Sequence, residues 1–326
     1  MECAVCGRRG EVLQAYRGRV LCRECFVNDV RERVRREAER WRLVEPGDTL
    51  LLAVSGGKDS FVLLDTLPRA FGESRFIAFT IVEGIPGYNR LSDVEALADH
   101  AREVGVDFVK ASFKEYLGLS LGEIVEKASR LELEHSPCTY CGVARRHMMV
   151  RAAEELGARK IATAHVLDDE IQTLLINIMR GDWRGVLKLH PASWRRERGP
   201  VRVKPLRKVY EWEAALYAYL RGYRFQEVEC PYITLHPTLR ARVRARLLEV
   251  EKRKPGLLMG MLEFLDELLE EEASRLKEAP LKCPLCGAPA SAKRGSCRLC
   301  ELLGELGVVG LYRSLGGGVF KVGSLA

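Results

Sequence analysis

The fold of this chain is decided by the stretch Leu50-Leu51-Leu52-Ala53-Val54-Ser55-Gly56-Gly57-Lys58-Asp59-Ser60. Its apolar first half has the length of a buried strand, two glycines follow, and a helical pattern of apolar residues begins after Lys58. Glycine lets the backbone approach a ligand closely, and the N–H groups at a helix N-terminus attract anions. The stretch therefore predicts a strand, a phosphate-binding loop and a helix. A plain turn with capping serines is the alternative.

Residues 55–60 read SGGKDS, which lacks the Walker spacing of γ-phosphate hydrolases. The motif resembles the pyrophosphate loop, or PP-loop, of the N-type ATP pyrophosphatases, which cleave ATP between its α and β phosphates and adenylate a carbonyl oxygen. This resemblance implies an ATP site in which Asp59 binds magnesium or orders the loop. The residues that we expect to hold the nucleotide in this stretch are Ala53, Val54, Ser55, Gly56, Gly57, Lys58, Asp59 and Ser60.

Three further strand patterns follow, at residues 76–82, 106–111 and 160–164, with helical patterns between them. Such alternation predicts an α/β fold: a Rossmann-like parallel sheet of the adenine nucleotide alpha hydrolase kind, with helices on both faces. Ligands bind at the carboxyl ends of the strands in such sheets. We therefore expect the backbone near Ile81, at the end of the second strand, to contact the adenine.

Positive charge is distributed unevenly along the chain. The 326 residues carry 52 Lys and Arg against 45 Asp and Glu, a net charge of +7. Residues 180–208 contain ten basic residues and two carboxylates, and residues 240–254 contain seven and two. Trp183 and Trp194 lie in the first segment, and aromatic side chains among arginines suit RNA. We predict RNA-binding segments here, with a solvated loop as the alternative for the first.

The sequence also predicts a cellular compartment. No stretch reaches the roughly 18 apolar residues of a membrane span, and the first residues lack the charged and then apolar pattern of a secretory signal. We therefore expect a cytoplasmic protein. Eleven cysteines in a reducing compartment are more often metal ligands than disulfides.

Eight of the cysteines form two sets of paired CxxC motifs. Each set offers four thiolates, which fill the coordination sphere of a tetrahedral zinc ion and leave no open position for catalysis. We predict two structural zinc sites, with a redox dithiol as the alternative for the first. The ligands are Cys3, Cys6, Cys22 and Cys25 for the first, and Cys283, Cys286, Cys297 and Cys300 for the second.

The other three cysteines are Cys138 and Cys141, which form a third CxxC motif, and the distant Cys230. Three thiolates from two segments can hold a four-iron cluster in which one iron lacks a protein ligand, much as a catalytic metal keeps a position open. A redox-active or persulfide-forming CxxC with an inert Cys230 is a second interpretation. Three ordinary buried cysteines are a third.

Two carboxylates follow the fourth strand pattern. Thr163 lies at the end of this strand, and Asp168 and Asp169 open the next helix. Acidic residues in a first helical turn often serve only as caps. Because these follow a strand of the same sheet as the PP-loop, we expect them to position magnesium or substrate, with Asp169 the better candidate. His165 is equally compatible with packing at the strand end.

The remaining helical patterns complete the predicted organisation. Asn28 and Asp29 indicate the start of a helix that ends near Leu43, which we interpret as a solvated connector, with RNA contact as the alternative. Further helices are predicted at 211–221, 237–251 and 256–277. The predicted division is a zinc finger at 1–28, the connector at 29–46, a catalytic domain with basic tRNA-binding segments at 47–278, a second zinc finger at 279–305 and a tail at 306–326.

Several motifs together carry a resemblance to one family. SGGKDS, Pro137-Cys138-x-x-Cys141-Gly142, His165-x-x-Asp168-Asp169, a later Cys230-Pro231 and a zinc finger at each end resemble the TtuA type of tRNA 2-thiouridine synthetase, within the TtcA/TtuA family. The resemblance covers essentially the whole chain. It implies a two-step reaction: ATP adenylates the C2 oxygen of a tRNA uridine, and a sulfur nucleophile then displaces AMP.

The resemblance also implies cofactors and residue roles. These are ATP with magnesium, two zinc ions, and a [4Fe-4S] cluster whose open iron takes up sulfur. Arg145 lies where the family has a basic residue near ATP and substrate, and Asp169 matches its acidic residue. The implied catalytic residues are Cys138, Cys141, Cys230, Asp59, Arg145 and Asp169. Beyond the PP-loop stretch, the implied cofactor-binding residues are Ile81, Gly142, Arg145, Thr163, Asp168 and Asp169.

The implied partners are tRNA and a ubiquitin-like sulfur carrier with a C-terminal thiocarboxylate, and a homodimer is left open. We favour 5-methyluridine at position 54 of the T-loop as the substrate, giving 2-thioribothymidine. The wobble uridine at position 34 is the alternative. Two further alternatives are sulfur transfer through a persulfide without a cluster, and a zinc-finger tRNA-binding protein that has no catalytic activity.

Overall fold

The computed structural model describes residues 1–88, 91–193, 199–235, 239–272, 281–290 and 295–316, and these contain ten strands and fourteen α-helices. The strands are β1 Val12–Gln14, β2 Arg19–Leu21, β3 Thr49–Ala53, β4 Arg75–Val82, β5 Asp107–Ser112, β6 Lys160–Thr163, β7 Ala192–Ser193, β8 Val201–Val203, β9 Leu281–Lys282 and β10 Pro289–Ala290. The helices are α1 Arg23–Arg40, α2 Lys58–Ala70, α3 Leu91–Glu103, α4 Phe113–Leu117, α5 Leu121–Arg130, α6 Pro137–Glu155, α7 Leu167–Met179, α8 Trp183–Leu187, α9 Glu211–Leu220, α10 Pro231–Leu235, α11 Leu239–Arg253, α12 Leu257–Glu272, α13 Arg298–Glu305 and α14 Val309–Ser314.

Six strands form the central sheet in the order β5-β4-β3-β6-β8-β7. The first five are parallel, and β7 pairs antiparallel with β8 at the edge. Ala53 at the end of β3 is in register with Phe79 of β4 and Thr163 of β6. The carboxyl ends of β3, β4 and β6 therefore meet at one edge, and the strand order reverses beside β3, where such sheets bind ligands. The predicted α/β fold with terminal Cys₄ clusters is confirmed.

Alternate residues of β3 explain how helices come to cover both faces of the sheet. Leu50 and Leu52 pack with α1, α2 and α3, whereas Leu51 packs with α5, α6 and α13 on the other face. Successive side chains of a strand point to opposite faces, so a continuous apolar run is buried on both sides. None of the described helices combines the length and the apolarity needed to cross a bilayer.

The structure corrects the predicted start and environment of the first helix. α1 begins at Arg23 rather than after Asn28, because the thiol of Cys22 accepts a hydrogen bond from the Cys25 N–H and caps the helix. The helix is not a solvated connector. Val30 has no exposed surface, and Arg33 is 8% exposed and bonded to the Glu213 carboxylate on α9.

The basic segment at 180–208 is also more ordered than predicted. It contributes α8 and two strands of the central sheet, so the alternative interpretation as a solvated loop is wrong for these parts. Trp194 and its neighbours at 194–198 lie outside the described residues. So do the predicted start of the helix at 237–238, the end of the helix at 273–277, and the last part of the tail.

Candidate active site and metal centres

The PP-loop joins β3 to α2 at the carboxyl edge of the sheet. Gly56 has φ +86°, a left-handed conformation that favours glycine, and Gly57 occupies the N-cap of α2 without a capping side chain. The Ser55 N–H donates to Ser60 Oγ at 2.9 Å, which closes the turn. The first N–H groups of α2 therefore lack a side-chain acceptor and are available to an anion.

Two carboxylates flank the lysine of this loop. Lys58 Nζ lies 3.2 Å from Asp59 Oδ2 and 3.3 Å from Glu211 Oε1 at the start of α9. Burial alone would lower the pKa of Lys58, but Asp59 and Glu211 outweigh it and raise that pKa. The lysine is thus positively charged at neutral pH beside the predicted phosphate site.

Asp59 is a candidate magnesium ligand. Burial raises the pKa of its carboxyl to about 6, with Asp169 and Glu211 adding to the rise and Lys58 opposing it. Its Oδ1 has no hydrogen-bond partner among the described residues. Asp169 Oδ1 lies 3.7 Å from Arg240 Nη1. A divalent cation favours oxygen ligands and would relieve the repulsion between these carboxylates, so the donor set fits magnesium.

The other strand-end residues occupy more structural positions. Asp168 is 6% exposed, and its Oδ2 accepts a 2.7 Å hydrogen bond from the Glu211 N–H, which fixes the start of α9. Burial raises the pKa of the Asp168 carboxyl to about 6. Thr163 Oγ1 donates to the Val203 carbonyl at 3.4 Å and lies 2.9 Å from His165 Nδ1. Because it accepts the Glu211 N–H hydrogen bond, Asp168 positions Glu211 beside Lys58.

Three cysteines meet at the start of α6. Ser136 caps this helix, and Cys138 and Cys141 are three residues apart, so they share one face of it. α10 packs against α6 and brings Cys230, the residue before α10, to the same place. All three side chains are partly exposed.

The three thiols influence one another electrostatically. Burial raises the pKa of Cys138, and Cys230 raises it further. Burial also raises the pKa of Cys141 to about 12, with Glu83, Cys230 and Cys138 adding to the rise and Arg145 opposing it. The Cys138 and Cys141 thiols are therefore protonated at neutral pH unless a metal displaces the proton.

The spacing of the trio differs from that of a single-ion site. Among the described residues, only the two Cys₄ sets gather three or more candidate ligand atoms within 4.8 Å of one another. The thiolates of a four-iron cluster bind different irons and stand farther apart than those around one ion. Three partly exposed thiols of two segments fit such a cluster better than a single zinc ion.

Contacts of neighbouring residues connect the segments that carry the trio to the PP-loop and to the end of β4. The Gln226 N–H, four residues before Cys230, donates to the Gly56 carbonyl at 2.8 Å. On α6, Arg145 Nε lies 3.3 Å from Glu83 Oε1, just beyond the end of β4. Ile81 is buried at that strand end, and Gly142 lies in the first turns of α6. The structure thus brings the PP-loop, the thiols and Arg145 to one edge of the sheet.

Two carboxylates of this site, Glu83 and Glu211, were not predicted from the sequence. Glu83 follows the last residue of β4, so the rule that ligands bind at strand ends could have identified it. It is 2% exposed, and its Oε2 has no hydrogen-bond partner among the described residues. Glu211 carried no local signal, because its contact with Lys58 joins residues 153 positions apart.

Four of the predicted RNA-facing basic residues pair instead within the protein. The buried Lys204 donates to Glu170 Oε2 at 2.7 Å, and the fully buried Arg207 donates to Asp266 Oδ1 at 2.5 Å. On α11, Arg240 donates to Thr173 and Arg244 to Glu211. The prediction that these two segments face RNA is therefore wrong for Lys204 and Arg207.

The two Cys₄ centres share one local design. In each, a glycine with positive φ follows the second cysteine, at Gly7 and Gly287, and the third cysteine caps a helix. Cys6 Sγ lies 3.7 Å from Cys22 Sγ, and Cys286 Sγ lies 3.5 Å from Cys297 Sγ. Metal–sulfur bonds of about 2.3 Å place the sulfurs of a tetrahedral zinc site roughly 3.8 Å apart. Both sets fit a zinc ion.

Comparison with known proteins identifies the family. The PP-loop domain family matches residues 30–251. The tRNA 2-thiolation protein NcsA of Haloferax volcanii is 35% identical to this chain, over 95% of this chain and 100% of that protein. The chain belongs to the PP-loop family of tRNA 2-thiolation proteins.

Relatives of two kinds lie within this family. The tRNA-5-methyluridine(54) 2-sulfurtransferase of Thermus thermophilus is 32% identical, over 93% of this chain and 91% of that protein. The solved structure of the U34-tRNA thiolase NcsA from Methanococcus maripaludis with its [4Fe-4S] cluster matches with a TM-score of 0.78. It is 29% identical and covers 94% of this chain and 96% of that one. The resemblance to tRNA-thiolating enzymes is confirmed, which disfavours a non-catalytic tRNA-binding protein.

Proposed function

We propose that this protein is an ATP-dependent tRNA-uridine 2-sulfurtransferase that holds a [4Fe-4S] cluster. The observation that carries the proposal is the placement of the PP-loop and the three thiols at the same sheet edge, joined through the Gln226–Gly56 hydrogen bond. The reaction needs both parts close together, because the sulfur must reach the carbon whose oxygen ATP has activated.

The first step is adenylation of the uracil C2 oxygen. In this proposal the first N–H groups of α2, with Lys58, Ser55 and Ser60, bind the pyrophosphate portion of ATP. Asp59 and Asp169 would hold magnesium, which neutralises phosphate charge as the C2 oxygen attacks the α-phosphorus and pyrophosphate leaves. Glu211 stays close to Lys58 because Asp168 caps α9.

Arg145 has a position suited to the reacting centre. Its side chain is 38% exposed, and its Nε lies 3.3 Å from Oε1 of Glu83, just beyond the end of β4. A guanidinium stays protonated at any physiological pH, so it cannot remove a proton. We assign it to binding the negative charge that develops around the α-phosphate during both steps.

The second step replaces the adenylated oxygen with sulfur, and AMP leaves with the oxygen that came from uracil. Burial raises the pKa values of Cys138 and Cys141, so these thiols would lose their protons to the metal when the cluster binds; a persulfide on either thiol is the alternative. The bound cluster would supply an iron with an open position for sulfide. The protein's part is to hold the three thiols as ligands and to keep them beside the nucleotide.

The finer assignments are also part of the proposal. Position 54 remains our first assignment for the uridine, and position 34 is the second because the structural match is to a U34 thiolase. We propose zinc in both Cys₄ centres, a ubiquitin-like thiocarboxylate as the sulfur donor, and the cytoplasm as the compartment. We also propose the domain boundaries predicted above, with α1 assigned to the catalytic core, and we leave homodimer formation open.

In vitro thiolation with position-specific substrates tests this proposal. The anaerobically purified protein is mixed with ATP, magnesium, sulfide and tRNA, and nucleosides are analysed by mass spectrometry. We expect a nucleoside in which one sulfur atom replaces one oxygen atom. This product should be absent when uridine 54 is changed to cytidine. Loss with a position 34 change instead would support the second assignment. Release of pyrophosphate without thiolated nucleoside would contradict the function.

A further inference from the structure

A polar cavity lies between the turn that joins β1 to β2, α1 and the start of α12. Its volume is about 560 Å³, and it is partly open to solvent. Five basic side chains and two carboxylates line it, a net lining charge of +3. The basic residues are Arg17, Arg33, Arg36, Arg40 and Lys208.

The most buried of these arginines has spare hydrogen-bonding capacity. Arg33 is 8% exposed, and its Nε and Nη1 donate to Asp29 Oδ2 and Glu213 Oε2 at 3.0 and 2.8 Å. Its Nη2 has no hydrogen-bond partner among the described residues. This atom has almost no accessible surface, so Arg33 contributes its positive charge to the cavity, and direct contacts with a ligand are left to the more exposed basic side chains.

Lys208 adds a second incompletely paired cation. Its Nζ lies 3.7 Å from both Glu37 Oε2 and Asp266 Oδ2, which is longer than a hydrogen bond. Arg36 at the rim is 73% exposed and pairs only with Glu32 among the residues described. The cavity therefore combines deep and peripheral positive charges, as sites for phosphate groups do.

One turn of α9 connects the cavity to the PP-loop. Glu213 binds Arg33 of the cavity, and Glu211, two residues earlier, contacts Lys58 of the PP-loop. The two sites thus lie on either side of the first turn of α9. An RNA whose base enters the active site has phosphates along its backbone on both sides of that base.

We propose that this cavity binds a backbone phosphate of the tRNA substrate. The inference rests on the proposed function for the identity of the RNA. The site itself recognises phosphate through guanidinium and ammonium groups, and a free phosphate would use the same contacts. RNA is favoured as the source because the cavity is open on one side and lies beside the active site.

Neighbouring arginines on α1 provide a matched pair of variants. Arg36 lines the cavity and binds Glu32 Oε1 at 2.6 Å. Arg35 binds the same carboxylate at 2.7 Å, is 41% exposed and does not line the cavity. Arg36→Ala and Arg35→Ala therefore remove the same charge from the same helix, and only the first removes it from the proposed site.

The first arm measures tRNA affinity at several salt concentrations with the full-length holoprotein. Arg36→Ala should weaken binding roughly three- to tenfold and reduce the slope of log K against log salt by about 1. Arg35→Ala should match the wild type. Lys208→Gln should resemble Arg36→Ala. Equal effects of Arg36→Ala and Arg35→Ala, or no effect of either, would overturn the RNA assignment.

The second arm distinguishes a free phosphate from RNA. Inorganic phosphate should raise the melting temperature of the wild type more than that of Arg36→Ala if the cavity holds phosphate at all. A phosphate response with unchanged tRNA binding would assign the cavity to a free phosphate, and no response in either arm would refute the site. Wild-type thiolation, measured on the same sample, reports the proposed function separately, because tRNA can bind through the cavity whether or not sulfur is inserted.

Discussion

The two terminal Cys₄ centres and the central cysteine trio use the same side chain in opposite ways. At the termini, four sulfurs lie within 4.8 Å of one another, around a position closed by turns and helix caps. In the centre, three partly exposed thiols come from two segments, and Cys141 lies near Arg145 and Glu83 at the end of β4. A closed set can only stabilise the fold, whereas an incomplete and accessible set can bind a reactant.

The first prediction separates these two roles by mutation. Cys230→Ala should reduce tRNA thiolation by roughly a thousandfold or more, while its melting temperature should nearly equal that of the cluster-free wild type, because the side chain is small and partly exposed. Thiolation and circular dichroism melting provide the two measurements.

The matched control is Cys297→Ala in the C-terminal centre. Cys297 is 6% exposed and caps α13, which packs against α6. This variant should lower the melting temperature clearly, because a structural metal site contributes directly to folding. A stable Cys297→Ala protein, or an unfolded Cys230→Ala protein, would contradict the assignment of a structural role to the Cys₄ centres and a catalytic role to the cysteine trio.

The second prediction concerns Asp59, the PP-loop carboxylate that we propose as a magnesium ligand. Asp59→Asn should reduce pyrophosphate release by roughly a hundredfold, because it removes a magnesium ligand. Without magnesium, the same variant should be more stable than the wild type at pH 7–8 by about 1–3 kcal/mol. The folded-state pKa of Asp59, about 6, lies above its usual value of 3.8, so ionisation costs stability as pH rises through this interval.

The pH dependence of the stability difference between Asp59→Asn and the wild type tests the predicted direction of this effect. The stability difference between Asp59→Asn and the wild type should shrink as pH falls from about 6 towards 4, because the folded carboxyl is then protonated and the unfolded carboxyl becomes increasingly so. Urea unfolding at several pH values in EDTA measures it. A variant that is less stable than the wild type at pH 8 would show that Asp59 has a supporting rather than a ligand role.

The third prediction compares the two closed centres with each other. Cys6 of the N-terminal set is exposed, whereas three of the four C-terminal cysteines are buried. A chelator should therefore remove metal several-fold faster from the N-terminal centre. Cys6→Ala identifies which of two kinetic phases of zinc release belongs to that centre, and simultaneous loss from both would contradict the difference in accessibility.

Local patterns made the closed centres and most of the sheet predictable. The CxxC spacings and the long apolar run before Gly56 specify their structure within a few residues. β8 was missed because it has only three residues with Arg202 at its centre. The start of α1 was misjudged because a cysteine caps it, and cysteine is rarely read as an N-cap.

The site formed by the PP-loop and the cysteine trio was less predictable, for a physical reason. Its residue types were evident from the sequence, but contacts such as Glu211 with Lys58 and Gln226 with Gly56 depend on the folding of distant segments. The same holds for the buried pairs of Lys204 and Arg207, which appeared as RNA-binding charge in the sequence. Composition identifies a charge but does not identify its partner.

Metal analysis of anaerobically purified protein tests the central claim most directly. The wild type should contain about four iron and about two zinc atoms per chain. Cys230→Ala should lose the iron and its brown colour while keeping both zinc atoms, and Cys6→Ala should lose one zinc atom and keep the iron. A colourless wild type that thiolates tRNA, or a Cys230→Ala protein with undiminished iron, would contradict the assignment of the trio as an open cluster site.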